Sequence, residues 1–290
     1  QTLRKASDTM GLRLLQISDL HFGPPYRSTV GESVLQLADE LKPDAVIVSG
    51  DLTQRARRSQ FLAAREFLQR LPSVPMLVIP GNHDVPLYRI FERLFWPHGL
   101  YREIISPDLN PVLRLPGALI AGIDSTSPHT AISNGRIGRQ QLASCREVFR
   151  QADESDIRIV VAHHHLIPPP DRLRDRRMQA SARAIRVFAE LGVELILGGH
   201  LHRAFVGNSL DYYPEATRDT RLRDQGIIIV HSGTTTSGRG RGREYDLNSL
   251  NLIEVSPQMI DVSHYLHDET RQRFEIINRH ELTRRKPDSQ

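Results

Sequence analysis

The sequence lacks the features of a secreted or membrane-spanning protein. Its 290 residues include a single cysteine, Cys145, so no disulfide can form within the chain; this is typical of proteins in the reducing cytoplasm. No uninterrupted apolar stretch approaches the ~20 residues that a membrane-spanning helix needs. Residues 1–9 lack the apolar core of a signal peptide, and we expect them to form a loose extension. These absences predict a cytoplasmic protein without a membrane span.

Lysine is also scarce, because only three of the 38 basic residues are lysine and the others are arginine. The planar guanidinium of arginine suits phosphate and carboxylate groups, but a genome whose codons favour arginine would produce the same bias. A net charge of +4 over this length does not by itself indicate nucleic-acid binding. Hydrophobic residues make up 39% of the chain, which is enough for a sizeable core.

Short apolar runs alternate with longer amphipathic segments along most of the chain. This alternation predicts a mixed α/β fold in one domain over residues 10–268, followed by a C-terminal tail at 269–290. We expect strands at 12–17, 45–49, 76–79, 118–123, 157–162, 195–197, 227–231, 250–255 and 259–265. We expect helices at 30–41, 59–71, 139–151 and 180–191. Two irregular segments, 85–117 and 166–180, are expected to be loops.

Polar, metal-competent side chains follow five of the expected strands directly. They are Asp19 and His21, Asp51, Asn82 with His83 and Asp84, His163 to His165, and His200 with His202. Because the carboxyl ends of strands line the ligand crevice in open α/β sheets, these residues are expected to converge.

The residue types and spacings at these strand ends indicate a metal site. In Asp19-x-His21 and His200-x-His202, both side chains would point the same way if the backbone stayed extended. Nearby glycines would let the backbone approach an ion closely. Carboxylate, imidazole and amide donors without thiolate suit Mn, Fe, Zn or Co. Seven ligands fit two ions that share a carboxylate, and such pairs, ~3.5–4 Å apart, promote in-line displacement at phosphorus.

The ordered motifs DxH, GD, GNHD, a strand-end histidine and GHxH resemble those of the calcineurin-like metallophosphoesterase superfamily, especially its bacterial members similar to cyclic-nucleotide phosphodiesterases. The resemblance implies a four-layer α/β/β/α sandwich of two facing mixed sheets. It implies one metal held by Asp19, His21, Asp51 and His202. It implies a second held by Asp51, Asn82, His163 and His200, with Asp51 bridging. His83 would be the general acid, oriented by Asp84, which would favour its protonated form.

The sequence leaves open which histidine of the run 163–165 is the metal ligand. Members of the superfamily often carry HHP at this strand end with the first histidine as ligand, which favours His163 and leaves His164 as an alternative. An extended backbone would place His163 and His165 on one face and His164 on the other. The proline position of the motif is occupied by His165.

The resemblance implies hydrolysis of small, nucleotide-like phosphodiesters through attack by hydroxide held between two divalent ions. A nuclease or a phosphomonoesterase would use the same metal site, and an inactive binding scaffold is a remote alternative because the ligand residues are all present. Nucleic acid is a less favoured partner, and a homo-oligomer is compatible with the sequence.

Several other residues admit both a functional and a structural interpretation. His231 is expected to be buried outside the site. The arginine-rich segments 171–177 and 239–243 could contact phosphate or remain solvated. Tyr88, Phe91 and Trp96 could form a base-stacking platform, but we favour packing within a lid.

Overall fold

The computed structural model describes residues 11–129, 135–170 and 178–284. Its strands are β1 (Leu12–Ile17), β2 (Ala45–Val48), β3 (Met76–Val78), β4 (Val112–Leu115), β5 (Ala118–Ile123), β6 (Ile157–Ala162), β7 (Leu195–Gly198), β8 (Phe205–Asn208), β9 (Ile228–His231), β10 (Ser249–Val255), β11 (Met259–Asp268) and β12 (Arg273–Thr283). Its α-helices are α1 (Ser28–Leu41), α2 (Arg58–Arg70), α3 (Ile90–Phe95), α4 (Gly99–Ile104), α5 (Arg139–Phe149), α6 (Ser181–Glu190) and α7 (Pro214–Thr217).

These strands form two six-stranded sheets. The first has the order β12-β11-β10-β1-β2-β3 and the second has the order β4-β5-β6-β7-β9-β8. Strands β1, β2 and β3 pair in parallel, as do β5, β6, β7 and β9, whereas β4, β8, β10, β11 and β12 pair antiparallel with their neighbours. The carboxyl ends of the parallel strands in each sheet therefore lie along one edge of that sheet.

The sheets face each other, and helices cover their outer faces. Apolar side chains from both sheets form a shared core that includes Leu14, Ile47, Ile120, Val161 and Leu197. Helices α1 and α2 pack on the first sheet, and helices α5 and α6 pack on the second. The predicted α/β/β/α sandwich is confirmed. Burial on both faces of the sheet explains the continuous apolar runs, such as AVIV in β2, from which the central strands were predicted.

The C-terminal segment differs from the predicted tail. Residues 273–283 form the edge strand β12, which pairs antiparallel with β11 along its whole length. Only Phe274 of this strand is buried, so its sequence shows little of the apolar signal that marks the central strands. The N-terminal extension predicted for 1–9 lies outside the described residues.

The segment at 85–117 contains more regular structure than predicted. Helices α3 and α4 and strand β4 lie within it. Helix α3 has no buried residue, and Tyr88, Phe91 and Trp96 are all exposed. The expectation that these aromatic side chains pack within a lid was therefore wrong.

Candidate metal centre

The predicted site residues converge just after the carboxyl ends of five strands, three of them in the first sheet (β1, β2 and β3) and two in the second (β6 and β7). Asp19 and His21 follow β1, Asp51 follows β2, and His163 follows β6. The side chains of Asp19, His21, Asp51 and His163 are fully buried. The site is therefore a polar cluster at the meeting edge of the two sheets, deeply buried at these four residues and partly exposed at Asn82 and His200.

The backbone at these strand ends is not extended. Asp19 and His21 have φ angles of 53° and 51°, Asp51 has 54°, and His200 and His202 have 73° and 55°. The condition under which both side chains of D-x-H and H-x-H would point the same way, an extended backbone, is therefore not met. Left-handed backbone costs a non-glycine residue about 1–3 kcal/mol and clusters at functional sites. Aspartate and histidine tolerate it better than most residues.

Two glycines permit the close approach of these loops, as predicted. Gly50 has a φ of 101°, and a Cβ there would lie 2.5 Å from Nδ1 of His163. A Cβ on Gly81 would lie 2.2 Å from Oδ1 of Asp51. Any larger residue at either position would displace a side chain of the cluster.

One part of the cluster, which we call the first half, consists of Asp19, His21 and His202. Nε2 of His202 lies 3.3 Å from Oδ1 of Asp19 and 3.3 Å from Nε2 of His21. Oδ2 of Asp51 lies 3.7 Å from Nε2 of His21. The potential ligand atoms of these four residues all lie within 4.8 Å of one another, a separation that a single cation between them can bridge.

The other part, the second half, consists of Asn82, His163 and His200. Nε2 of His163 lies 3.3 Å from Oδ2 of Asp51 and 3.3 Å from Oδ1 of Asn82. Nδ1 of His200 lies 2.9 Å from the same Asn82 oxygen. Asp51 thus touches both halves, and all seven residues predicted as ligands form one connected group.

The three consecutive histidines take different positions. His163 faces Asp51 and Asn82, and its Nδ1 donates to the carbonyl oxygen of Ser49 at 2.8 Å. His164 hydrogen-bonds through Nδ1 to the Ser125 hydroxyl at 2.8 Å, and it also forms with His163 and His200 a group whose potential ligand atoms all lie within 4.8 Å of one another. The ring of His165 stacks on His200 at 5.7 Å between centroids. Among the three, His163 has the contact with the shared carboxylate.

The charges in the cluster are strongly coupled. Burial alone would raise the pKa of Asp51, but the imidazoles of His163 and His83 hold it well below its ordinary value. Burial likewise opposes ionisation of Asp19, yet His202 and His21 lower its pKa to about 2. Both carboxylates are therefore ionised at neutral pH.

His163 of the second half and His202 of the first half differ in protonation. Burial would lower the pKa of His163, but Asp51 and Asp19 raise it to about 9. Burial lowers the pKa of His202 to about 3, despite the attraction of Asp19. At neutral pH His163 is therefore protonated and His202 is neutral, so a metal ion in the second half must displace a proton.

The donor set fits divalent metal ions. Oδ1 of Asp19 and Oδ2 of Asp51 are buried carboxylate oxygens that accept no well-formed hydrogen bond among the described residues, although an imidazole nitrogen lies 3.3 Å from each. Leaving a charged oxygen buried without a partner is costly. Metal ions between the two carboxylates and the surrounding imidazoles would satisfy both oxygens, and the absence of thiolates favours borderline divalent ions.

Several supporting contacts were not found from the sequence. The hydroxyl of Ser18 donates to Oδ2 of Asp19 at 2.7 Å. The carbonyl oxygen of Arg239 accepts from Nδ1 of His202 at 3.0 Å, as that of Ser49 does from His163. Backbone carbonyls carry no residue-type signal, and Ser18 could have been suggested only by its position beside Asp19.

His83 and Asp84 are arranged differently from the prediction. Nδ1 of His83 donates to the carbonyl oxygen of Gln54 at 2.9 Å. The carboxylate of Asp84 instead accepts hydrogen bonds from the backbone amides of Leu52, Thr53 and Gly81. Gln54 therefore orients the His83 ring, whereas Asp84 fastens the two loops together. Burial lowers the pKa of His83 against the opposing charge of Asp51, so the predicted help of Asp84 in keeping this ring protonated is not seen.

The remaining candidates lie at the margin of the cluster. His231 is buried and donates through Nδ1 to the carbonyl oxygen of Gly199 at 3.0 Å. In the 239–243 segment, Arg239 donates to the side-chain oxygen of Gln54 at 2.9 Å. The 171–177 segment lies outside the described residues. No helix in the described parts of the chain has the length and apolar character to cross a membrane.

Comparison with known proteins agrees with this geometry. A probable cyclic nucleotide phosphodiesterase from Synechococcus sp. is 29% identical over 216 residues, which cover 69% of this chain and 77% of the relative. A glycerophosphodiester phosphodiesterase, GpdQ, from Enterobacter lignolyticus is 38% identical over 81 residues, which cover 24% of this chain and 29% of that enzyme.

The fold is similar to that of a purple acid phosphatase from yellow lupin, Lupinus luteus, with a TM-score of 0.70 at 13% sequence identity. The match covers 96% of this chain but only 54% of the plant enzyme, so the chain spans about half of that enzyme's length. At this identity the likeness shows the fold alone.

The model of the calcineurin-like phosphoesterase family matches residues 12–204. That range begins with β1 and includes all seven residues of the cluster as well as His83 and Asp84. The family and the Asp/His cluster together indicate two divalent metal ions. The chain therefore belongs to the calcineurin-like phosphoesterase family and is a metal-dependent phosphoester hydrolase.

Proposed function

We propose that the protein hydrolyses small phosphodiesters, with nucleotide-like diesters as the favoured class. The observation that carries the proposal is the contact of Asp51 with both halves of the cluster, which suits two ions sharing one carboxylate. The preference for diesters is supported by two relatives that carry phosphodiesterase names.

The proposed ligands follow the two halves. Asp19, His21, Asp51 and His202 hold one ion, and Asp51, Asn82, His163 and His200 hold the other. Mn, Fe or Zn fits these donors. Two divalent cations exceed the charge of the two carboxylates, so the occupied site is net positive and attracts a phosphate anion.

When bound, the ions supply charge neutralisation at the phosphoryl oxygens and activation of water near neutral pH. His83 is the proposed general acid. Because its Nδ1 is engaged by Gln54, its Nε2 is the atom that can carry a proton to the departing oxygen. The pKa of the buried ring is lowered, and the bound phosphate anion adds the negative charge that favours protonation.

Asp84 has a proposed positioning role rather than contact with substrate. Its carboxylate joins the loop after β2, which carries Asp51, to the loop after β3, which carries Asn82 and His83. The shared ligand and the general acid are thereby held in fixed relation. With one cysteine and no intrachain disulfide, we propose that the enzyme works in a reducing compartment such as the cytoplasm.

A substrate panel in Mn²⁺ tests the proposal. The values of kcat/KM are compared for bis-p-nitrophenyl phosphate, p-nitrophenyl phosphate, cyclic AMP and single-stranded DNA, with the D51N variant as the control for contaminating activity. We expect the small diesters to be preferred. A monoester value ten times the diester value would indicate a phosphomonoesterase, and preferential cleavage of DNA would indicate a nuclease.

A further inference from the structure

An apolar strip projects from the protein directly after the GNHD segment. It comprises Leu87, Tyr88, Ile90, Phe91, Leu94, Phe95 and Trp96, and we call it the 87–96 surface. Phe91 is 79% exposed, Tyr88 is 74% exposed and Trp96 is 70% exposed. Single exposed apolar residues are ordinary, but a contiguous apolar patch of this kind marks an interaction site.

The 87–96 surface lies beside the mouth of the metal centre. The guanidinium of Arg55 lies over the ring of Tyr88, 5.1 Å from its centroid. Arg89 donates to the carbonyl oxygen of Ala56 at 2.7 Å. The loop that contains Arg55 and Ala56 also contains Gln54, whose carbonyl oxygen accepts the hydrogen bond from His83. Whatever covers the surface is therefore brought close to the proposed general acid.

Arginines of the loop at 55–58 lie next to the apolar strip. Arg58 is paired with Glu103 and Arg89 with Glu92. Arg55, which contacts Tyr88, and the exposed Arg57 form no ion pair with any residue in the described ranges, so no neighbouring carboxylate neutralises their charge. Exposed aromatic and aliphatic side chains next to arginine are the composition of a segment that lies in the interface of an anionic membrane.

A second copy of the chain fits this surface less well. A stable protein–protein interface uses about 20–30 residues on each side, which is several times the seven apolar residues of the strip. A two-fold dimer would also place the same patch on both partners, and would bring the arginines of one rim near those of the other. Anionic lipid has the opposite charge and needs only shallow insertion of apolar side chains.

We propose that the 87–96 surface docks on an anionic lipid surface, with its apolar side chains inserted among the headgroups and Arg55 and Arg57 against lipid phosphates. The metal centre then opens towards the lipid surface, where it meets diesters presented there. The docking is independent of which diester the enzyme cleaves.

Trp96 provides a direct test, because it is the only tryptophan in the chain. The holoenzyme is mixed with vesicles of phosphatidylcholine alone, or of phosphatidylcholine with phosphatidylglycerol. We expect the emission of Trp96 to shift to the blue and the protein to sediment with the vesicles that contain phosphatidylglycerol. High salt should weaken both effects, because it screens the arginines.

Matched variants distinguish docking through the 87–96 surface from nonspecific adsorption to vesicles. F91S/F95S should lower the vesicle partition coefficient by at least about tenfold, since each buried phenylalanine contributes substantially. R55Q should lower it about fivefold. I276S/I277S, which removes two exposed isoleucines from β12, should leave it unchanged. All variants should retain the wild-type circular dichroism spectrum and, without vesicles, the wild-type hydrolysis of bis-p-nitrophenyl phosphate.

Three outcomes would overturn the proposal. The first is no sedimentation and no emission shift with phosphatidylglycerol vesicles. The second is equal loss of binding in F91S/F95S and I276S/I277S, which would show nonspecific adsorption. The third is a blue shift of Trp96 that depends on protein concentration without vesicles and is accompanied by dimerisation, which would assign the surface to a second copy.

Discussion

The two halves of the metal centre share Asp51 and differ in charge and in backbone. The first half contains a second carboxylate, Asp19, and all three of its residues have left-handed backbone. The second half contains the neutral amide of Asn82, and only His200 among its members is left-handed. Negative charge and backbone strain are therefore concentrated on one side, and we expect that side to hold its ion more tightly.

The hydrogen bonds that support the proposed ligands also differ between the two halves. Asp19 receives hydrogen bonds on Oδ2 from the Ser18 hydroxyl and from the backbone amide of His200 at 3.0 Å. Its other oxygen is left for a cation. In the second half, the Ser49 carbonyl orients His163, and a substitution cannot remove it. A substitution of Ser18 therefore removes a supporting hydrogen bond of the first half, whereas the backbone carbonyl that supports His163 in the second half has no side chain to remove.

The largest effect is expected from a substitution of Asp51, the residue that both halves share. D51N should lose both ions, because Asp51 contacts His21 on one side and His163 on the other. We expect activity to fall by at least about 10⁴-fold, since charge neutralisation and water activation are lost together. Metal content per chain and kcat/KM for bis-p-nitrophenyl phosphate measure the two effects.

The matched control is D39N, which makes the same chemical change at an exposed position in α1. It should keep two ions and full activity. Retention of one tightly bound ion in D51N would show that one half assembles without the shared carboxylate.

The ring of His83 belongs to neither half, so its removal is expected to affect catalysis and not metal binding. H83A should keep both ions while kcat falls by ~10²–10⁴ for substrates with poor leaving groups. The loss should be smaller for p-nitrophenolate, which departs without a proton. Similar losses for good and poor leaving groups would show that His83 is not the general acid, and loss of an ion would place it among the ligands.

Much of the fold could be predicted because its strands are buried on both faces. Strands β2, β5 and β7 consist entirely of buried residues, so each appears in the sequence as an apolar run. Strand β12 is mostly exposed, and helix α3 buries nothing, so neither has the pattern on which such predictions depend. Tertiary pairing with β11, rather than local sequence, positions β12.

The site residues could be named from their motifs, but their geometry could not. Strand periodicity says nothing about the φ angle of the residue after the strand, so the left-handed backbone of Asp19 and His21 could not be foreseen. The carboxylate of Asp84 could equally have faced His83 or the backbone amides. Only the folded loops show that it accepts from Leu52, Thr53 and Gly81.

A smaller change tests whether the halves can be separated. S18A removes the hydroxyl that donates to Asp19, and loss of such a supporting contact commonly lowers metal affinity by about 10–100-fold. We expect only the first-half ion to be affected, as measured by competition titration with a metal chelator. S125A is the matched control, because its hydroxyl contacts His164 instead. A loss of second-half affinity in S125A would make His164, not His163, the ligand.

The smallest expected effect is a difference in pH dependence between the two binding steps. Metal binding requires neutral imidazole. The pKa values of Asp19 and His202 are lowered to about 2 and about 3, so neither group has a proton to lose between pH 6 and pH 8. The pKa of His163 is raised to about 9 by Asp51 and Asp19, so this ring is protonated over the same range. The first-half ion should therefore bind without releasing a proton from these groups. Affinity for the second-half ion should rise with pH by up to about tenfold per unit, and by less where the first ion has already lowered the pKa of His163.

Calorimetry in buffers of different ionisation enthalpy counts the protons released in each step. Equal proton release in both steps would show that the two halves are equivalent, and release in the tighter step alone would reverse their assignment.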